Sequence, residues 1–251
     1  MDKTIILRAF CTALFVVMLF GCVNSGKKYP KAKPHYTLGL SYLQSENPTL
    51  ALREFLQALE RSPRDADIHA GLALAYQYKK AYALSEQHYL KALNYSDDEP
   101  RYQNDLGALY LTMERWDDAI SFFDKASKNL LFMRTELSYM GKGYAYYRKG
   151  DYPAALQAYS EAEAISPRLA TLHFYRGETF QATGRLDLAR ASYGKALSYI
   201  PNYSEARYQL AVLDLKEKRL TQAKTHLKAI VDQDPLSTWG IKSADFLKTM
   251  K

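Results

Sequence analysis

Cysteine is almost absent from this 251-residue chain, and that scarcity removes several classes of protein at once. Only Cys11 and Cys22 occur, and both lie within the first 22 residues. A Cys/His zinc cluster or a CxxC redox pair therefore cannot form in the remainder of the chain, and a framework of disulfides is excluded as well. The fold must be explained without these cross-links.

Sequence motifs for catalysis are also missing. No glycine-rich phosphate loop, G-x-S-x-G elbow or H-E-x-x-H helix occurs in the chain. Three of the five histidines, His35, His69 and His173, fall at one position of a repeat described below. Repetition of one position predicts a packing role and not a shared metal site. We therefore expect no catalytic residue, no metal and no cofactor.

Strong charge of one sign is lacking too. The formal net charge is only +7, and no basic stripe with interleaved aromatic residues is present, so we expect no nucleic-acid partner. Glycine and proline are sparse, at 12 and 9 residues, whereas tyrosine reaches 21. Together with an apolar fraction of 47%, this composition favours a folded, helical chain with aromatic packing.

The N-terminal apolar run, from Ala9 to Phe20, is too short to span a bilayer comfortably and is typical of an export signal. It follows two basic residues and ends in Leu19-Phe20-Gly21-Cys22. This ending resembles the bacterial lipobox, in which a cysteine after a small residue is acylated before cleavage. We predict a lipoprotein signal peptide over residues 1–21 and a lipidated Cys22. The alternative is an ordinary secretory signal with a chance cysteine.

Residues 22–34 combine lysines with Ser25, Gly26, Pro30 and Pro34, a composition that predicts a tether. Its lysines suit anionic lipid headgroups, although a solvated linker is the alternative. Val23, and not an aspartate, follows the cysteine. The lipobox resemblance therefore implies an outer-membrane lipoprotein that faces the periplasm.

Beyond the tether, the chain repeats itself with a period of 34 residues. Gly39, Ala73 and Gly107 are spaced at this interval, as are Pro167 and Pro201. The units resemble the tetratricopeptide repeat, which has a small residue at position 8, an aromatic at 11, alanine at 20, an aromatic at 24, alanine at 27 and proline at 32. The step between the third and fourth units is 36, because residues 128–134 form a longer connection.

A few positions depart from the repeat pattern. Ser85 replaces an alanine, Asp97 replaces a proline, and the last unit carries Asp214 and Leu227 where aromatic residues are expected. The resemblance implies an all-α, right-handed superhelical solenoid of about six tetratricopeptide repeats over residues 35–236. Residues 237–251 break the period and are predicted to form a capping helix that covers the last repeat.

The resemblance also implies a binding surface. In this family, positions 2, 5, 9, 12 and 13 of each first helix face the concave side. The side chains there are mostly aromatic or aliphatic, which suits an amphipathic helix or an extended apolar peptide from a protein partner. Packing against neighbouring repeats is the alternative for any one of them. The predicted groove residues are Tyr36, Leu40, Tyr78, Asn104, Leu111, Met140, Tyr144, Tyr147, Arg148, Phe174 and Tyr208.

The middle of the chain resembles one particular group of tetratricopeptide-repeat proteins. The third repeat contains Gln103-Asn104-Asp105-Leu106-Gly107, and Ala126-Ser127 leads into the long connection with Arg134. With the lipobox, the tether and the repeats, these features resemble the type IV pilus biogenesis lipoproteins, or pilotins. The resemblance implies a non-catalytic scaffold that binds a secretin subunit and assists its assembly in the outer membrane.

After Ala162 the chain follows the general repeat consensus, with Pro167 and Pro201, and two other classes of function stay open. One is a general scaffold for envelope assembly or polysaccharide export. The other is an accessory subunit of an enzyme complex.

Overall fold

The computed structural model describes residues 31–129 and 132–250, which form thirteen α-helices and no β-strand. The chain divides into two compact units, one up to Tyr95 and the other from Ser96 onward. Unit 1 contains α1 (Lys33–Gln44), α2 (Pro48–Arg61), α3 (Ala66–Tyr78) and α4 (Tyr82–Tyr95). Unit 2 contains α5 (Pro100–Thr112), α6 (Trp116–Lys128), α7 (Thr135–Lys149), α8 (Tyr152–Ile165), α9 (Ala170–Ala182), α10 (Leu186–Tyr199), α11 (Ser204–Lys216), α12 (Leu220–Gln233) and α13 (Thr238–Thr249).

The predicted signal peptide and Cys22 lie outside the described residues. The predicted end of the tether at residue 34 needs a correction, since α1 already begins at Lys33. Pro34 stands in the first turn of this helix, where proline is tolerated because the first backbone N–H groups have no helical acceptor. Within the described residues, no helix has the length and apolar character needed to cross a membrane.

One fully buried ring organises unit 1. Phe55 on α2 lies against two glycines of the neighbouring first helices, Gly39 on α1 and Gly71 on α3. A Cβ atom added at either glycine would lie 2.6 or 2.7 Å from the Phe55 ring. The small residue and the aromatic of the repeat are therefore two halves of one contact, because a larger side chain would overpack it.

Unit 2 repeats this contact three times. Phe123 on α6 lies against both Gly107 and Gly141, while Tyr159 on α8 packs on Gly143. A Cβ atom at Gly143 would lie 2.5 Å from the Tyr159 ring. In the next repeat, the ring of Tyr193 packs on Gly177 in the same way.

The described residues form helices only, and the predicted all-α repeat fold is confirmed.

Buried polar groups explain the departures from the repeat pattern. Ser85, which replaces an alanine, donates its hydroxyl to the carbonyl oxygen of Ala73 at 2.7 Å. Asp214, which replaces an aromatic, is almost completely buried. Its Oδ1 accepts from Nη1 of Arg190 at 2.8 Å and lies 3.2 Å from Nε of Arg219. The last repeat thus substitutes an ion-pair cluster for a ring.

Two of the three repeated histidines pack in the core, whereas His35 is half-buried with its Nδ1 2.8 Å from a carboxylate oxygen of Glu54. His69 and His173 are both buried. Their Nε2 atoms lie 3.1 Å and 2.8 Å from the carbonyl oxygens of Pro63 and Pro167, respectively. Each imidazole therefore forms a hydrogen bond with the loop that precedes its own helix.

Helix α13 closes the end of unit 2. Its N-cap is Ser237, whose Oγ accepts from the backbone N–H of Gly240 at 3.0 Å. Trp239 and Phe246 on this helix lie against Tyr208, with ring centroids 5.1 and 6.3 Å from that ring. The helix covers apolar surface of α11 and α12, as a terminal cap of a repeat array does.

Candidate protein-binding groove

In unit 2, position 5 of the first helices makes contacts between neighbouring repeats. Asn104 on α5 accepts through Oδ1 from Oγ of Ser138 on α7 at 2.9 Å. Met140 on α7 receives a hydrogen bond at Sδ from Oγ1 of Thr171 on α9, at 3.6 Å. In both cases the side chain joins its own first helix to the next one, so position 5 is a contact between repeats.

Two predicted groove residues at this position are buried, and that part of the prediction needs a correction. Phe174 and Tyr208 are only 9% and 8% exposed. The ring of Phe174 lies 5.3 Å from that of Tyr203 between α9 and α11, and Tyr208 packs under α13 against Trp239. Both serve the core, because α11 covers Phe174 and the capping helix α13 covers Tyr208.

The predicted groove residues of unit 1 are more exposed to solvent than Phe174 and Tyr208. Tyr36, also at position 5, is half-buried, with its ring 5.9 Å from that of Phe55. Leu40 at position 9 and Tyr78 at position 13 are 41% and 56% exposed. Unit 1 thus exposes apolar side chains on its first helices at positions 9 and 13.

In unit 2, positions 9, 12 and 13 remain accessible. Leu111 on α5 is half-buried at position 12. Tyr144 and Tyr147 on α7 are half-buried as well. Their rings stack on one another with centroids 6.2 Å apart, and Tyr144 also lies 5.1 Å from Tyr175 on α9. Neighbouring rings thus hold both tyrosines in place, and part of each side chain stays accessible to solvent.

Arg148, the predicted rim residue, is exposed but already engaged. Its guanidinium lies over the ring of Trp116, 4.5 Å from the centroid. Nη1 donates to the hydroxyl oxygen of Tyr144 at 3.2 Å, and Nη2 lies 3.5 Å from a carboxylate oxygen of Glu114. These contacts hold Arg148 beside the two tyrosines, where its hydrogen bond fixes the position of the Tyr144 hydroxyl.

A residue that the sequence prediction missed lies next to these tyrosines. Glu178 stands at position 9 of α9, the position that holds Tyr144 on α7, so the repeat register itself could have found it. It borders a cavity of about 330 Å³. The residues that line this cavity are Tyr147, Glu178, Gln181, Ala182, Tyr193, Gln209 and Lys216. We call the surface formed by Tyr144, Tyr147, Arg148, Glu178 and Gln181 the unit 2 groove.

Three of the polar residues that line this cavity are joined by hydrogen bonds. The hydroxyl of Tyr193 donates to Oε1 of Gln181 at 3.2 Å. Nε2 of Gln181 donates in turn to Oε1 of Gln209 at 3.5 Å. This chain joins α9, α10 and α11, and it fixes one wall of the unit 2 groove.

Comparison with protein families identifies the family to which the chain belongs. Three family models, described as tetratricopeptide repeat or TPR repeat, match residues 36–100, 143–184 and 180–239. Together these matches span more than half of the chain. The chain is a tetratricopeptide-repeat protein. Such repeats are protein-binding scaffolds.

Individual relatives narrow the kinship of this tetratricopeptide-repeat protein. It is 34% identical over 134 residues to the type IV pilus assembly protein PilF of Pseudomonas aeruginosa, covering 50% of this chain and 53% of that one. The match thus spans about half the length of PilF. Superkiller protein 3 of Schizosaccharomyces pombe is 27% identical over 206 residues, which are 76% of this chain and 15% of that one.

Solved structures agree on the fold. A Pseudomonas aeruginosa PilF structure gives a TM-score of 0.71 at 19% identity, over 84% of this chain and 96% of that one. The structure of PilW, described as a widely conserved type IV pilus biogenesis factor, gives 0.76 at 17% identity, over 84% and 97%. These structures show the fold, and the predicted resemblance to type IV pilus biogenesis proteins is borne out by the 34% identity to PilF over about half of each chain.

Proposed function

We propose that this chain is a non-catalytic outer-membrane lipoprotein, facing the periplasm, that holds a secretin-type subunit during type IV pilus assembly. The observation that carries the proposal is the open, tyrosine-lined unit 2 groove in a chain related to PilF. A scaffold that serves other envelope assemblies, or an accessory subunit of an enzyme complex, would use the same groove with a different partner.

The groove has the properties of a protein-binding surface. Tyrosine buries a large, flat area on binding and has few rotamers to lose, so it is a frequent anchor at interfaces. Tyr144 and Tyr147 are already stacked on one another. Because the free protein holds them in place, a partner that covers their open edges would lose little conformational entropy.

Replacing Tyr144 and Tyr147 together by alanine should weaken partner binding by at least about 2 kcal/mol, or roughly 30-fold in affinity, because both anchors disappear. The measurement is capture of the partner from solubilised cell envelope at equal expression, with identification by mass spectrometry. Far-UV circular dichroism should show unchanged helicity, since both rings are only half-buried.

The matched control is the double replacement of Asp117 and Asp118 by alanine. These carboxylates belong to surface ion pairs of α6: Asp117 with Lys149, and Asp118 with Nε of Arg115 at 2.7 Å. Exposed pairs of this kind contribute little, so capture should be unchanged. Equal capture of one partner by both double variants would exclude the groove as the binding site. A partner that is never a secretin would favour the other scaffold functions.

Replacing Cys22 by serine should release the protein from the membrane fraction or leave its signal uncleaved, because the acylated sulfur would be lost. Several acyl chains anchor a protein stably, whereas one chain anchors it only marginally. Cys11→Ser provides the control, since this residue lies within the predicted signal peptide. Unchanged processing and unchanged fractionation of Cys22→Ser would contradict the lipoprotein assignment.

A further inference from the structure

Glu178 stands outside the hydrogen bonds that join Tyr193, Gln181 and Gln209 around the cavity. Its side chain is half-buried, yet within residues 31–129 and 132–250 no hydrogen bond or ion pair reaches its carboxylate. Gln181, one turn later on the same helix, exchanges hydrogen bonds with Tyr193 and Gln209. Lys216 also borders the cavity, but no ion pair joins it to Glu178 among the described residues.

The surroundings of Glu178 are aromatic. Burial raises the pKa of its carboxyl above the ordinary value. Burial also raises the pKa of the nearby tyrosine hydroxyls, and the negative charge of Glu178 adds to that effect at five of them. These tyrosines are Tyr147, Tyr159, Tyr175, Tyr193 and Tyr203. The carboxylate of Glu178 thus acts on tyrosines of four helices, and Glu205 adds to the effect at Tyr175 and Tyr203.

This combination selects for one kind of ligand group. A half-buried carboxylate without a partner is less stable than one in water. An apolar ligand group that covered the carboxylate would increase its desolvation penalty and would therefore bind poorly. An anionic group would be repelled. A guanidinium or ammonium group would pair with the carboxylate, and the faces of tyrosine rings would attract it further. The cavity of about 330 Å³ has room for the end of such a side chain.

We propose that the cavity around Glu178 is a subsite for a basic side chain, an arginine or lysine, of the protein that the unit 2 groove binds. The inference rests on the proposed function of the groove. It adds that the partner segment carries a cationic residue beside the apolar residues that cover Tyr144 and Tyr147. Charge complementarity with Glu178 fixes the register of that segment.

A pair of small probes tests the subsite without the partner. N-acetyl-arginine amide carries the guanidinium, whereas N-acetyl-citrulline amide has nearly the same shape and no charge. We expect the arginine probe, titrated into the full chain with ¹³C-labelled tyrosine rings, to shift the ring signals of Tyr147 and Tyr193 in a saturable way. The citrulline probe should bind at least tenfold more weakly.

Two variants assign the effect to the carboxylate. Glu178→Gln should weaken binding of the arginine probe at least tenfold, while Glu60→Gln, which removes one exposed negative charge from α2 of unit 1, should leave it unchanged. Glu178→Gln should also keep or raise the melting temperature, because the carboxylate has no partner to lose. A lower melting temperature would reveal a structural partner and overturn the proposal.

Other outcomes are equally decisive. Equal binding of the two probes, or full binding by Glu178→Gln, would overturn the subsite. Binding of the arginine probe only after Lys216→Met would also overturn it, because Lys216 would then be the cation of this site. These results are independent of partner capture. If the subsite fails while capture still depends on Tyr144 and Tyr147, only this inference is lost; if the probe binds while capture ignores the groove, only the proposed function is lost.

Discussion

Replacing Asp214 by alanine should lower the free energy of unfolding by about 3–5 kcal/mol, the cost expected when one partner of a buried ion pair is removed. The side chain of Asp214 is 2% exposed and lies between Arg190 and Arg219, with His226 3.6 Å from its second oxygen. Without the carboxylate, two half-buried guanidinium groups and an imidazole would face one another. Glu217 can satisfy them only in part, since it already contacts both arginines.

Asp232→Ala is the matched control for this prediction. Asp232 is exposed on α12, so the same chemical change there should alter stability by less than about 0.5 kcal/mol. Urea denaturation followed by circular dichroism at 222 nm measures both variants. If Asp214→Ala and Asp232→Ala unfolded at the same urea concentration, the ion-pair cluster would not contribute to the free energy of unfolding.

The Asp214 cluster shows where sequence reasoning stops. A 34-residue period with small and aromatic residues in phase predicts paired helices, because each pattern position serves one contact, as Phe55 does against Gly39 and Gly71. An acidic residue at an aromatic position only breaks that pattern. Its partner Arg190 stands 24 residues away at a position that the repeat leaves open, so their pairing emerges only when α10 and α11 are packed together.

The candidate site was predictable to a similar extent. Repeat positions 9 and 12 are at least partly accessible where Leu40, Tyr144 and Tyr147 stand. Position 5 lies one helical turn before position 9 on the same face, so the register treats the two alike. A following helix covers position 5 in both cases: α11 buries Phe174, and the capping helix α13 buries Tyr208. How closely that helix approaches is a property of packing that a single repeat sequence does not contain.

Replacing Tyr159 by alanine should destabilise the chain by about 3–5 kcal/mol, since it would empty the space of a fully buried ring between α7 and α8. Tyr159→Phe is the control. The hydroxyl of Tyr159 is buried and has no hydrogen-bond partner among the described residues, so its removal should be neutral or stabilising. Loss of stability in Tyr159→Phe would show that the hydroxyl has a partner.

A second substitution tests whether the ring and the glycine form one contact. Gly143→Ala alone should destabilise, because its Cβ would lie 2.5 Å from the Tyr159 ring and such overpacking costs about 1–3 kcal/mol. In the Tyr159→Ala background the obstacle is gone. Alanine is favoured over glycine within a helix by about 1 kcal/mol, so the same change should now stabilise. Additive effects in the double-mutant cycle would contradict the contact, since residues that do not touch combine without coupling.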